Sequence, residues 1–229
     1  MGDVVTYERS GGVSTIRIDD GKANAMSVPT MREISAAFEQ ASVDETVVVL
    51  AGREGLFSAG FDLKVFQQGV EPLTLMLRTG AALNAQVMTF PAPVVVACTG
   101  HAIAMGSFLL MSADYRIGAD GPFRIGMNEV AIGMTLPLFA IDIATPRISP
   151  PYLSRSALLA QMYSPTDAIA PGFLDEVVAP NQVIEAAQQK AQSLSELDRK
   201  AHQATKTRIR GAIAKAVLAS AEEEFGGAS

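Results

Sequence analysis

Tryptophan is absent from the 229 residues, cysteine occurs once, as Cys98, and histidine twice, as His101 and His202. One cysteine cannot close an intramolecular disulfide or build a Cys-rich zinc cluster, and it suits a reducing compartment. With two histidines, metal chemistry would have to rest on carboxylates, and no metal is expected. Basic residues are scarce too: 18 Lys and Arg against 24 Asp and Glu leave a net charge of −6. The cationic surplus on which binding to a phosphate backbone depends is missing, so nucleic acid is not an expected partner. A membrane-spanning run is also missing. The most apolar stretch, Pro91 to Ala113, is cut by Pro91, Pro93, Gly100, His101 and Gly106 into pieces too short for a bilayer and reads as buried core. The start shows neither a basic segment followed by an apolar one nor an Arg-rich transit pattern, and Gly227-Ala228-Ser229 is not a peroxisomal tripeptide. A cytoplasmic location is therefore expected.

What is present is apolar material, 48% of the chain, enough for one globular core, with or without a helical appendage. Val13 to Ile18 alternates as a half-buried strand does, while Val47 to Leu50 and Val94 to Cys98 are continuous β-branched runs suited to interior strands. Helices are expected from about Pro29 to Ala41, from Pro72 to Met88 and from Ser107 to Ser112. Short strands follow at Tyr115 to Ile117, Phe123 to Ile125 and Val130 to Ile132. Beyond Pro150 the pattern turns helical, at Ser154 to Met162, Thr166 to Ala170, Val183 to Leu194 and Ser195 to Phe225, with one strand at Glu176 to Ala179. The class is α/β, and the apolar stripe of the last helices needs the core or another subunit to cover it.

Three stretches could carry chemistry. Phe57-Ser58-Ala59-Gly60-Phe61-Asp62-Leu63-Lys64 follows a strand; its small residues admit a ligand to the backbone, and a helix starting near Asp62 would aim free N–H groups at it. Thr99 to Ser107 repeats that pattern after the next strand, so two strand ends could set two N–H donors around one carbonyl oxygen. In Gly126-Met127-Asn128-Glu129-Val130-Ala131-Ile132-Gly133, a carboxylate lies among apolar residues that would raise its pKa towards neutrality. Taken singly, each stretch is also what an ordinary turn looks like. Ser58 and Ser107 are not in G-x-S-x-G, and there is no Walker loop or G-x-G-x-x-G.

Together these pieces resemble the crotonase, or enoyl-CoA hydratase/isomerase, superfamily. The resemblance runs from Val13 to about Ala179 and rests on Lys22-Ala23-Asn24-Ala25-Met26, Val47 to Gly52, Phe57 to Lys64, Pro91-Ala92-Pro93 with Gly100-His101-Ala102, Ala113-Asp114-Tyr115-Arg116 and Gly172 to Val178. It implies a spiral of ββα units over residues 1–179 and a helical C-terminal region over 180–229, shortened relative to the family. It also implies assembly as a homotrimer or a pair of trimers. The substrate would be an acyl-CoA thioester, with coenzyme A as part of it and no prosthetic group. The resemblance makes the N–H groups of Phe61 and Met105 the oxyanion hole. It puts Lys22, Ala23, Ala25, Ala59, Asp62, Leu63 and Lys64 beside the CoA nucleotide, with the lysines on its phosphates. Of the two glutamates that hydratases of the family use, one position holds Glu129 and the other holds Phe108. One carboxylate suffices for moving a double bond from 3-enoyl-CoA to 2-enoyl-CoA, so isomerisation with Glu129 as catalytic base is expected. Another crotonase-type reaction (hydration, hydrolysis or decarboxylation) and non-catalytic acyl-CoA binding are the alternatives. Phe66, Phe108, Met127, Met134 and Leu136 are the expected lining of an apolar acyl pocket.

Overall fold

The continuous β-branched runs form the middle of a sheet that is buried on both faces. In the computed structural model, which describes residues 4–227, strands β1 (Val5–Ser10), β2 (Val13–Ile18), β3 (Val47–Ala51), β5 (Val94–Cys98), β7 (Tyr115–Ala119) and β9 (Glu176–Val178) make one sheet in the order β1-β2-β3-β5-β7-β9. Residues 1–3 and 228–229 lie outside the described chain, and with them part of the readings of its start and end. Only the β1–β2 pair is antiparallel; the other pairs are parallel. Val47, Val49, Ala51, Val95 and Ala97 face helix α6 (Val183–Leu194), which presents Val183, Ala187 and Ala191 at helical spacing. Val48, Leu50, Val94 and Val96 point the other way into the main core. Burial on both faces is why these runs do not alternate.

A second, three-stranded parallel sheet runs in the order β4-β6-β8, from β4 (Gly55–Ser58), β6 (Gly100–Ile103) and β8 (Ile125–Gly126). From β3 onward consecutive strands go alternately to the large and the small sheet, and a helix follows each of the first three strand pairs. After β1 and β2 comes α1 (Val28–Val43), after β3 and β4 comes α2 (Val70–Thr89), and after β5 and β6 comes α3 (Met105–Ser112). This is the expected winding of ββα units. Helix α1 begins where the sequence places it, with Ser27 Oγ accepting from Thr30 N at 3.3 Å.

Five local expectations are corrected. No helix starts at Asp62: its carboxylate accepts from Lys64 N at 3.0 Å in a tight turn, a single 3-10 turn covers Val65–Gln67, and α2 begins at Val70. Val130–Ile132 is likewise a 3-10 turn and not a strand, because the chain folds back at Gly133 (φ +78°) and leaves Val130 and Ile132 half in solvent. The helix expected at Ser154 to Met162 is α5 (Pro150–Ala157), started by its prolines, with a separate α4 (Leu138–Ala144) before it; Thr166 to Ala170 is a run of turns. The last helix, α7, spans Arg199–Phe225 and starts at Asp198, whose carboxylate accepts from Ala201 N at 2.7 Å.

The surface that covers α7 is the chain's own. Ala214, Val217 and Ala221 belong to the main core, and the helix lies along α2 and α4. Lys206 is buried there, donating to Asp114 Oδ2 at 2.6 Å and Ala92 O at 3.1 Å, while Arg210 reaches Asp114 Oδ1 at 3.0 Å. Desolvation pulls the Lys206 pKa down and the Asp114 carboxylate opposes that pull. Among the described residues no helix is long and apolar enough to cross a membrane.

Candidate active site

The small sheet gathers the three sequence stretches. Its strands are parallel, with one register shift between Leu56 and Ser58 that sets Ser58 beside Ala102, and with Ile103 beside Gly126, so their C-terminal ends lie side by side. Phe61 lies three residues beyond β4, Met105 two beyond β6 and Glu129 three beyond β8. The carboxyl ends of parallel strands are where α/β sheets commonly bind ligands.

The first two loops fit together at one glycine. A Cβ on Gly60, whose φ is +101°, would lie 2.9 Å from Ala104 Cβ and 3.0 Å from Ile103 O. Ala104 itself takes φ +50° and ψ −119°, a conformation costly for a residue with a side chain, and this sharp turn lets Met105 open α3. The Met105 N–H is consequently an N-terminal helix donor with no intrahelical acceptor. On the other loop, Met26 N bonds Gly60 O at 2.8 Å and Asp62 N bonds Met26 O at 3.4 Å, which uses the groups on either side of the Phe61 N–H. Neither the Phe61 nor the Met105 N–H finds an acceptor among the described residues. Helix α2 seats the two side chains: the Phe61 ring packs where a Gly80 side chain would be, and Met105 Sδ lies 3.3 Å from Asn84 Nδ2. Asn84 also donates to Gly80 O and accepts from Ser112 Oγ, so it is fixed on both sides. Nothing in the residue pattern marks Asn84, a polar residue inside an apolar helix face.

The loop holding Lys22, Ala23 and Ala25 is laced to the loop after β4. Asp20 Oδ1 accepts from Lys22 N at 2.7 Å and Asn24 N at 2.9 Å; backbone hydrogen bonds hold its carboxyl below the usual range against the opposing effect of burial. Asn24, at φ +45°, donates to Ile18 O and Phe57 O. Ser58 Oγ donates to Asn24 O at 2.8 Å, and Ala59 N to Ala23 O at 3.0 Å. Lys22, Ala23, Ala59, Leu63 and Lys64 are exposed along this double loop, with Ala25 and Asp62 partly so. Arg53, which sequence reasoning did not single out, joins them through Nε to Lys22 O at 3.1 Å.

Glu129 closes the site. It is 6% exposed, and neither carboxyl oxygen has a hydrogen-bond partner among the described residues. Burial pushes its pKa up to about 7; the backbone amides of Glu129 and Asn128 oppose the rise only in part and are not placed for well-formed hydrogen bonds. Glu129, Phe61 and Ala104 line one cavity of about 50 Å³, together with Ala59, Leu63, Phe66 and Met134. Asn128 and Ile132 line it as well, two residues that the sequence reading left in a turn and a strand. Glu129 is the one ionisable side chain on that lining. Leu136 lies outside it, on a larger groove that it shares with Met134. Phe108 and Met127 reach neither space: both are buried in the main core, Phe108 edge-on to Phe139 with ring centroids 6.1 Å apart. Cys98 is also interior, and burial pushes its thiol up to about 12. No group of three or more His, Cys, Asp or Glu among the described residues could hold a metal ion.

The sequence profile of the Enoyl-CoA hydratase/isomerase family matches residues 8–224. The chain belongs to that family. Among its relatives is the mitochondrial enoyl-CoA delta isomerase 1 of Mus musculus, 26% identical over 97% of this chain and 78% of that protein. Another is a probable enoyl-CoA hydratase, echA17, of Mycobacterium avium, 30% identical over 78% of this chain and 70% of the other. A solved enoyl-CoA hydratase/isomerase family protein from Pseudomonas syringae superposes with a TM-score of 0.95 at 38% identity, over 98% of this chain and 97% of that one. The crotonase fold is thereby shown, with its C-terminal helix. The protein is an enzyme of the enoyl-CoA hydratase/isomerase type, and the relatives bear both names.

Proposed function

We propose that the protein converts 3-enoyl-CoA to 2-enoyl-CoA, with Glu129 as the single acid/base. The observation that carries this reading is that Glu129 is the lone ionisable group on the cavity it shares with Phe61, with both oxygens unpartnered. The thioester carbonyl accepts from the N–H groups of Phe61 and Met105. Glu129 removes a proton from C2, and the electron pair of that C–H bond enters a dienolate held by the two amides. The same carboxyl then delivers the proton to C4, and the double bond passes from C3–C4 to C2–C3. A carboxyl poised near 7 can both take and return that proton at neutral pH. Hydration by two carboxylates lacks its second group: Glu129 is the one ionisable side chain on the cavity, and position 108, where the resemblance calls for a glutamate, holds a phenylalanine buried in the main core. The CoA nucleotide lies along the double loop, its phosphates near Lys22, Lys64 and Arg53.

The test is to incubate the protein and its Glu129→Gln variant with 3-octenoyl-CoA, following the conjugated product by absorbance and water addition by mass. Conjugated 2-octenoyl-CoA from the wild type, a loss of about 10²–10⁴-fold in the variant, and little hydrated product are expected. A predominant mass gain of one water would transfer the reading to hydration.

A further inference from the structure

Helix α3 carries the Met105 donor at its first residue, and apolar contact alone does not fix where that residue stands. All eight residues of the helix are buried, with Phe108, Leu109, Leu110 and Met111 making it apolar all round. Burial of apolar surface is non-directional, so it holds such a helix in the core without choosing a register for it. Among the described residues, one side chain from another element hydrogen-bonds at both ends of α3. Asn84 on α2 donates from Nδ2 to Met105 Sδ at 3.3 Å, at the first residue, and its Oδ1 accepts from Ser112 Oγ at 2.8 Å, at the last. Nδ2 also donates to Gly80 O at 2.9 Å, which ties the amide to its own helix. Arg210 donates to Ser112 O and Ala113 O, at the C-terminal end alone. Asn84 is fully buried, a position that is costly for a polar side chain unless it is satisfied. Sliding α3 along α2 would unmake both of its bonds to that helix. The same face of α2 meets the other donor loop. A Cβ on Gly80, one turn before Asn84, would lie 2.8 Å from Phe61 Cζ and 3.4 Å from Met105 Sδ. Glycine inside a helix is less stable than alanine, and here it lets the α2 backbone approach both residues closely.

We infer that Asn84 is a positioning residue for the reaction: it sets α3 in register on α2 and, with Gly80, fixes the separation of the Phe61 and Met105 amides. The inference rests on the reading of those amides as the oxyanion hole. Asn84 is not on the lining of the Glu129 cavity, so its effect passes through Met105. Charge developing on the thioester oxygen is held only while both donors point at it, and a misplacement of about 1 Å can cost about 10²-fold in rate. The dienolate depends on this alignment more than the bound thioester does, so the loss falls on kcat and not on KM.

The experiment compares wild type, Asn84→Leu, Met105→Leu and the double variant, with folding checked by circular dichroism. Asn84→Leu removes the amide at similar volume and leaves Ser112 Oγ its bond to Phe108 O. Met105→Leu removes the sulfur and keeps the backbone N–H. Steady-state kinetics on 3-octenoyl-CoA are run beside the infrared carbonyl stretch of bound octanoyl-CoA, which hydrogen bonds from the two amides move to lower frequency. Each single variant should lose about ten- to a hundredfold in kcat, with KM changed by less than about threefold, and should lose much of the carbonyl shift. The double variant should lose no more than the worse single one, as two residues acting through one contact do. Full kcat and a full carbonyl shift in Asn84→Leu overturn the inference, and so do losses that multiply in the double variant. If Asn84→Leu does not fold, Met105→Leu decides: a reduced shift sustains the inference and an unchanged one overturns it. If the wild type binds octanoyl-CoA with a shifted carbonyl and isomerises nothing, the isomerase reading fails while the oxyanion hole stands, and the shift in the variants decides Asn84. An unshifted carbonyl in the wild-type complex removes the oxyanion hole and overturns the inference with it.

Discussion

Replacing Glu129 with glutamine should stabilise the fold while removing its activity, and the stabilisation should carry a signature in pH. Burial lifts the carboxyl from its ordinary 4.5 to about 7. The native state therefore keeps a proton that the unfolded chain releases at lower pH, so stability falls as pH rises from 4.5 towards 7 and levels off above it. At about 1.4 kcal/mol per pH unit the whole interval is worth roughly 3 kcal/mol. About 2 kcal/mol of this lies between pH ~5.5 and ~8.5. Glutamine does not titrate, and the pH-independent difference between burying an amide and a carboxylic acid cancels when the two proteins are compared at both pH values. The assay is denaturant unfolding of wild type and variant at each pH. Relative to the wild type, Glu129→Gln should gain about 2 kcal/mol on going from the lower pH to the higher. A difference that does not change with pH would refute the picture of an unpartnered, desolvated carboxylate. The same proton governs turnover: kcat/KM of the wild type should rise with pH to a plateau above about 7, where the base is ionised.

Three further changes test the frame around that group. Gly60→Ala puts a Cβ 2.9 Å from Ala104 Cβ at φ +101° and pushes the two donor loops apart; a loss of about 10²–10³-fold in kcat, comparable to losing an oxyanion donor, is expected in steady-state kinetics, with circular dichroism unchanged. Phe108→Glu does not create a second acid/base, because position 108 is in the core against Phe139 and not on the cavity; a drop of several kcal/mol in unfolding free energy and no gain in hydrated product are expected. Lys206→Met removes one partner of a buried pair and leaves Asp114 with Arg210, which should cost about 3 kcal/mol by denaturant unfolding, the low end for such pairs.

Much of this site is legible from residue types because its parts are strand ends. The β-branched runs at Val47 and Val94 mark interior strands, each followed by small residues, and an acid set among apolar residues marks Glu129. The donors at Phe61 and Met105 came from the family resemblance, since a backbone N–H leaves no trace in the side chain that carries it. Other features were hidden for physical reasons. The strands β4, β6 and β8 are two to four residues long, too short for a period to register. Val130 to Ile132 has the composition of a strand, yet Gly133 turns the chain and exposes it. Phe108 and Met127 are the right types for an acyl pocket, but apolar residues also fill cores, and these two do. Asn84 is the reverse case, a buried polar side chain whose partners come from α2 and α3 and so become visible only when the helices are packed.

The path of α7 over α2 has a consequence for the order in which the enzyme comes into being. Every residue lining the Glu129 cavity precedes residue 135, so all of them have been synthesised well before α7. Their support has not. Helix α2, which seats the Phe61 ring at Gly80 and the Met105 sulfur at Asn84, is covered by α7, and Glu222 reaches Arg78 across that contact at 2.6 Å. A growing chain holding residues 1–198 has all its chemistry and an uncovered apolar helix beneath it. Domains fold as units during synthesis; here the residues made last cover the helix that seats Phe61 and Met105, side chains made long before them.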